Sequence, residues 1–324
     1  MQYGMLFDMI LHLPNPRAAA QWCAEQRRQG KSLGFVPTMG ALHPGHLSLV
    51  HRAVKENEVV CASIFINPLQ FNNADDFAHY PRNIKLDINR LEKTGCDMVF
   101  EGTLTDFFPH ARSTKDIPVQ PAGEFAEGLE GAERPGHFDG VRTIVDRLFC
   151  ITRPDRAYFG EKDFQQTLVV NSLIEDRGYG NLTMIVCPTS REATGLARSS
   201  RNRLLSDTER QEAGCIHQAL KAARRAWNLG IRDAEMLRRE MLRVLQKSRL
   251  KIEYADLRDP ANWSSESPQG PLRHAQALIA VNTGKIRLID NMRLDRQDDQ
   301  PSKRPDRERT FLDSSYPGKR ASSF

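Results

Sequence analysis

The sequence predicts an α/β protein: a doubly wound parallel sheet followed by a second, smaller α/β domain. Three observations carry this. Short β-branched or apolar runs alternate with helix-period segments through the first 187 residues. The texture then turns polar at CPTSREATGLARSSRNRLLS, residues 187–206. Beyond that stretch, two helical patterns precede a strand and a hairpin. Strand alternating with helix implies parallel strands joined by right-handed crossovers.

The opening MQYGMLFDMILHLPNPR is mildly apolar, lacks a basic leader and carries Asp8 inside its apolar run, so it does not read as a secretory signal. SLGFVP (32–37), VVCASIFIN (59–67), CDMVFEG (96–102), RAYFGEKD (156–163) and LTMIVCPT (182–189) read as buried strands. Helical patterns occupy 46–57, 83–95, 140–152 and 165–178. The arrangement is Rossmann-like, and such sheets hold ligands outside the carboxyl ends of their strands. That rule marks the turns after residues 37, 67 and 160. Helical stretches follow at 207–228 and 233–247, then strands at 252–259 and a hairpin over 276–292 around Thr283-Gly284. The expected boundaries are 1–187, 188–294, and a disordered tail, 295–324, with few apolar residues and mixed charge.

Composition narrows the function. At 324 residues, 40% hydrophobic and 27% charged, the chain reads as a soluble globular protein. It has no apolar run long enough for a membrane helix. A net charge of +5 is mild for this length. The basic stretch LRREMLRVLQKSRLK (237–251) carries leucines at helical spacing, which reads as an amphipathic helix and not a nucleic-acid track. Six scattered cysteines show no zinc spacing and predict reduced, buried thiols in a cytoplasmic protein.

Two familiar nucleotide devices are absent. Gly30-Lys31-Ser32 mimics the end of a P-loop, but Glu25 stands where its first glycine belongs and the trio precedes a strand. No Gly-x-Gly-x-x-Gly occurs. Another device is present in FVPTMGALHPGHLSLV, residues 35–50. Pro37-Thr38-Met39-Gly40 makes a tight turn after a strand, and Gly40 lets backbone approach a ligand. Gly45-His46 then starts a helix whose first N–H groups are expected to be free for an anion. His43 and His46 can donate to phosphoryl oxygens as charge builds during displacement. In FGEKDFQQ (159–166), Lys162 offers a point charge for a phosphate, Asp163 an acceptor for ribose and Gln166 an amide. In ARSSRN (197–202), Ser199 and Ser200 flanked by Arg198 and Arg201 suit the outer phosphates of a nucleoside triphosphate.

Together with SIFINPLQF (63–71), YPR (80–82), LEGAERPGHFDGV (129–141) and RLIDN (287–291), these stretches make the chain resemble the pantothenate synthetase (pantoate–β-alanine ligase) family of the nucleotidyltransferase superfamily, from about residue 30 to 293. The resemblance implies two steps. Pantoate attacks the α-phosphate of ATP, accompanied by Mg²⁺, to give pantoyl adenylate and pyrophosphate. β-Alanine then displaces AMP. It further implies that Met39, Gly40 and Gly45 hold the α-phosphate and that His46, His43 and Lys162 carry the catalysis. Lys162, Ser199, Ser200 and Arg201 would hold the outer phosphates, Gly160 and Asp163 adenosine, and Gln70 and Gln166 pantoate. Asn67, Tyr80, Glu130 and Arg134 match family positions around the crevice, and Asp87 is implied in the Mg²⁺ shell. Family members often pair as homodimers. Arg198 and Ser190 depart from the family pattern, which has Leu or Met and an apolar residue there. Another adenylyl or cytidylyl transferase would share His43 and His46 without needing Gln70 and Gln166. A nucleotide-binding relative would hold ATP without releasing pyrophosphate.

Overall fold

The computed structural model describes residues 9–284 and 286–296. A short edge strand β1 (Leu11–Leu13) leads into α1 (Pro16–Arg28), and these are followed by β2 (Leu33–Thr38), α2 (Pro44–Glu56) and β3 (Val59–Ile64). Next come α3 (Ala74–Ala78), α4 (Ile84–Glu92), β4 (Met98–Glu101), α5 (Leu104–Phe107), α6 (Leu129–Glu133) and α7 (His137–Thr152). Strand β5 (Arg156–Gly160), α8 (Phe164–Asp176) and β6 (Thr183–Cys187) complete the first sheet. Helices α9 (Asp207–Asn228) and α10 (Ala234–Leu245) then precede β7 (Lys251–Arg258), β8 (Gln276–Asn282) and β9 (Arg287–Arg293).

The six-stranded sheet runs β1-β4-β3-β2-β5-β6, with its paired strands parallel. Both faces are covered. On one, Ala19 and Cys23 of α1, Val141–Phe149 of α7 and Val170 and Leu173 of α8 pack together. On the other, Leu49, Val50 and Ala53 of α2 meet Leu91 of α4. Burial on two faces explains why β2 and β3 read as continuous apolar runs, not alternating ones. The chain leaves β2 toward β3 and β4 on one side and returns to β5 and β6 on the other. The crevice between the carboxyl ends of β2 and β5 is therefore the topological switch point. The second sheet, β7-β8-β9, is antiparallel and packs on α9 and α10 around its own apolar core from Leu196 to Leu294.

Several expectations shift. Strand β3 stops at Ile64, and β5 stops at Gly160 because Glu161–Asp163 forms a 3₁₀ turn. Helix α2 starts two residues early, at Pro44, because His43 caps it. Strand β1 and helix α1 went unread in the sequence. Asn15 caps α1 by accepting from Ala18 N at 2.9 Å and is followed by Pro16, a start signal that was available. All six cysteines are free, but Cys150 is exposed and Cys215 half-buried, against the expectation of uniform burial. Asp295, placed in the disordered tail, accepts from the imidazole of His274 at 2.8 Å and pairs with Arg293. The rest of that tail, from 297, lies outside the described residues. Among the described residues no helix is long and apolar enough to cross a membrane.

Candidate active site

The loop leaving β2 is built around left-handed backbone at Gly40 (φ 77°) and Ala41 (φ 50°). Thr38 Oγ1 donates to Ser63 O at 2.7 Å and accepts from Gly40 N at 3.2 Å, tying the loop to β3. Asp87, 1% exposed, accepts from Ala41 N at 2.7 Å and Leu42 N at 2.9 Å. The loop then delivers His43 as the cap of α2, its Nδ1 accepting from Gly45 N at 3.1 Å. The Gly45 N–H expected to be free for an anion is thus occupied by a ring. That cap bond fixes the tautomer of a neutral His43: the proton sits on Nε2, which becomes the donor. Gly45 is required here because a Cβ would lie 2.9 Å from Cε1 and Nδ1 of His43. His46 stacks on His43 with ring centroids 4.0 Å apart, and its buried Nδ1 has no hydrogen-bond partner among the described residues.

Across the crevice, β5 ends at Gly160, where an added Cβ would meet nothing within 4 Å. Its φ of −82° suits any residue, so no turn requirement calls for the glycine. In the turn that follows, Lys162 Nζ donates to Asp163 Oδ1 at 3.1 Å. Burial works to raise the Asp163 carboxyl, but Lys162, His46 and Arg134 together hold it below its ordinary range. The two adjacent glutamines divide their labour. Gln165, buried, donates to the carbonyls of Phe125, Glu127 and Gly128 and accepts from Glu130 N, fixing the 125–130 segment. Gln166 faces the crevice.

The 67–70 turn carries the other amide. Gln70 Nε2 donates to Met39 Sδ at 2.9 Å, and its Oε1 accepts from Asn67 at 3.1 Å. Asn67, 1% exposed, also donates to Gly140 O at 3.0 Å and accepts from Leu69 N at 3.2 Å. Its side chain is thereby committed to shaping the turn. His137, which drew no attention in the sequence although it lies in RPGHFDG, donates from Nδ1 to Gln70 O at 2.8 Å. Its Nε2 then accepts from Arg134 at 3.1 Å. Tyr80, 6% exposed, packs edge-on against Phe71 and puts its hydroxyl 3.5 Å from Ser200 Oγ. Gly140 lets this turn sit on α7, since a Cβ there would lie 2.3 Å from Leu69 O. Gly140→Ala is expected to push the turn off α7 at the roughly 1–3 kcal/mol typical of overpacking. It should lower the midpoint of urea unfolding accordingly. Urea unfolding beside the wild type checks this, and an unchanged midpoint contradicts it.

Two charged residues assigned to ligands have protein partners here. Arg201 donates to Asp76 at 2.8 Å across the crevice. Glu130 accepts from the two terminal guanidinium nitrogens of Arg287, at 2.7 and 2.6 Å, and from the hydroxyl of Tyr254 at 2.7 Å. It ties the two sheets together. Arg198 N donates to Ser190 O at 2.9 Å and its Nε to Arg191 O at 3.1 Å. Ser199 Oγ accepts from Arg201 N at 3.3 Å.

A cavity of about 180 Å³ is lined jointly by His43, His46, Gly160, Lys162, Ser190 and Arg198–Arg201. It adjoins one of about 150 Å³ lined by Asn67, Gln70, Gln166 and apolar side chains of α7. A larger cavity of about 440 Å³ lies on the other side of the Met39–Ala41 strap, under residues 77–84, and contains neither histidine nor Lys162. The chemistry-bearing side chains converge on the two smaller cavities. Residues 12–293 match the family model for pantoate-beta-alanine ligase. The chain belongs to the pantoate–β-alanine ligase family.

Relatives agree with that membership along nearly the whole chain. The pantothenate synthetase of Thermodesulfovibrio yellowstonii is 42% identical over 86% of this chain and 97% of its own. That of Gluconobacter oxydans is 45% identical over 81% and 94%. The crystal structure of pantothenate synthetase from Thermus thermophilus superposes with a TM-score of 0.80 at 37% identity, covering 88% of this chain and 99% of that one. Pantoate-beta-alanine ligase from Francisella tularensis, solved with β,γ-ATP and β-alanine, superposes at 0.72 with 34% identity, covering 89% and 99%. The chain is an ATP-dependent ligase of this family, and the reading as a different nucleotidyl transferase is not favoured. The family match begins at residue 12, so helix α1 and all of strand β1 but Leu11 fall within it, although the resemblance read from the sequence starts only at about residue 30.

Asp87, implied in the Mg²⁺ shell, is engaged within the protein. Its two oxygens hold the Ala41 and Leu42 N–H groups. Among the described residues no group of three or more His, Cys, Asp or Glu could hold a metal. The imidazoles are neutral near pH 7. Burial, then His46 and Lys162, lowers His43 from the usual 6.5 to about 2. Burial, opposed by Asp163 and reinforced by Lys162, brings His46 from 6.5 to about 4. Unfolded imidazoles protonate first as pH falls, so the stability these rings contribute is complete above 6.5 and is lost toward about 4 for His46 and about 2 for His43. Urea unfolding at pH 7 and pH 5 should therefore show a larger loss in the wild type than in the His43→Asn/His46→Asn double variant. Equal losses contradict the shifted imidazoles.

Proposed function

We propose that the chain joins pantoate to β-alanine through a pantoyl adenylate, with each step placed at the β2–β5 crevice. A pantoate carboxylate oxygen attacks the α-phosphorus of ATP. The bond from that phosphorus to the bridging oxygen breaks and pyrophosphate leaves. The amine of β-alanine then attacks the acyl carbon, the amide bond forms, AMP departs with the C–O electron pair, and the amine proton passes to solvent.

Such a displacement asks mainly for positioning and charge stabilisation. His43 Nε2–H and the ring of His46 donate toward the α-phosphoryl and bridging oxygens. As neutral donors they stabilise charge through single N–H bonds, and the arriving triphosphate raises their affinity for protons. Lys162, Ser199, Ser200 and Arg201 hold the outer phosphates, with Arg201 exchanging Asp76 for the nucleotide. Arg198 adds a cation on the same wall. Adenosine lies over Gly160, within reach of Asp163 and Ser190. Gln70 and Gln166 grip pantoate in the adjoining cavity, whose apolar wall of Val141, Ile144, Val145 and Leu148 suits the substrate's methyl groups. Mg²⁺ enters with ATP as part of the substrate. The assembly is a homodimer.

The observation that supports this reading most is that His43, His46 and Lys162 line one cavity next to the open face of Gly160. The test supplies ATP, pantoate and β-alanine, then omits each in turn. AMP should appear only with all three, and pyrophosphate should be released without β-alanine as long as pantoate is present. AMP formation independent of pantoate contradicts the reading.

A further inference from the structure

RLIDN, residues 287–291, is part of the family resemblance but received no role from the sequence. It forms most of β9, in the second sheet, yet Arg287 and Asn291 bond residues that precede residue 187. Arg287 grips Glu130, and Asp290 accepts from Arg191 at 2.5 and 3.1 Å. Asn291 bonds the turn that carries Lys162. It is 4% exposed, and its Nδ2 donates to Glu161 O at 2.9 Å and to Lys162 O at 2.8 Å. Its Oδ1 accepts from Gln276 Nε2 at 2.7 Å, and Gln276 is itself 1% exposed.

We infer that Asn291 is a positioning residue for catalysis: the amide from the small sheet fixes the turn that aims Lys162 at the triphosphate. Both donors of one amide are used on consecutive carbonyls of that turn, and the acceptor end is locked by a second buried amide. The side chain therefore has one orientation. The turn has no side-chain cap of its own, so these two bonds are the outside support of its backbone. Arg296 adds a tether by donating to the Glu161 carboxylate at 3.3 Å. Lys162 sits on four rotatable bonds. Its ammonium is useful to a transition state only if its backbone is held where the phosphates arrive. The arrangement makes placement of the catalytic cation depend on the second sheet being seated.

This inference rests on the role given to Lys162, and a double-mutant cycle separates the two. Wild type, Lys162→Ala, Asn291→Leu and the double variant are compared by the single-turnover rate of pyrophosphate formation from saturating ATP and pantoate. Thermal unfolding is followed alongside, and the assays run well below each midpoint. Asn291→Leu is expected to lose about 10- to 100-fold in rate with a smaller change in ATP KM. The same substitution in the Lys162→Ala background should lose less than about threefold, because the group it positions is gone. Equal losses in both backgrounds mean that Asn291 merely stabilises the fold, and they overturn the inference. A near-wild-type rate for Lys162→Ala overturns the underlying role of Lys162 instead. Should Asn291→Leu fail to fold, Gln276→Leu frees the amide without removing it and enters the same cycle with the same expected asymmetry.

Discussion

Replacing His46 by alanine slows adenylate formation by about 10²- to 10³-fold, the usual scale for one lost transition-state donor, while the fold survives. The fold survives because His46 contributes no observed hydrogen bond from its buried Nδ1, so truncation orphans no partner there. What the substitution removes is the ring stacked 4.0 Å from His43 on the cavity wall. Its influence on the nucleotide grows only as negative charge builds on the oxygen bridging the α- and β-phosphorus atoms. The loss should therefore fall on kcat more than on the ATP KM. Pyrophosphate release from ATP plus pantoate, without β-alanine, isolates this step. A rate near that of the wild type removes His46 from the chemistry.

Glu130→Leu gives the largest expected loss of stability. The carboxylate is 7% exposed and accepts from Arg287 twice and from Tyr254. Burial raises its pKa, but the Arg287 guanidinium and the Tyr254 hydroxyl hold it below the ordinary carboxylate range. Removing one partner of a buried pair costs roughly 3–5 kcal/mol when the other charge is left alone. Arg287 is not left alone, because Glu253 still accepts from it at 2.5 Å. The expected loss is about 2–3 kcal/mol, accompanied by a higher ATP KM as the second sheet loosens over the cavity. Urea unfolding measures the first and steady-state kinetics the second. A loss below about 0.5 kcal/mol contradicts the latch.

Legibility followed the range of the interaction. The β2–α2 and β5–α8 junctions were readable because each site is local: strand, glycine turn and helix start lie within about ten residues. His43, His46, Gly160, Lys162 and Gln166 accordingly converge as their motifs suggested. The protein partners of Asp87 and Glu130 were not readable, because they lie far along the chain. Asp87 bonds Ala41 and Leu42 from 46 and 45 residues away, and Glu130 bonds Arg287 across 157. No spacing rule carries that information. Local detail failed as well: nothing in HPGH announces that the His43 ring turns back onto Gly45 N and occupies a donor meant for phosphate. Strand β1 was missed because three residues at a sheet edge carry too little pattern, whereas α1 carried a readable Asn-Pro start.

The most direct measurement is a crystal structure of the chain with a non-hydrolysable ATP analogue and pantoate. The imidazoles of His43 and His46 and the ammonium of Lys162 should all lie within hydrogen-bond distance of one triphosphate, with adenosine over Gly160 and pantoate between Gln70 and Gln166. A nucleotide seated instead in the 440 Å³ cavity beyond the Met39–Ala41 strap, out of reach of both rings, would contradict the account.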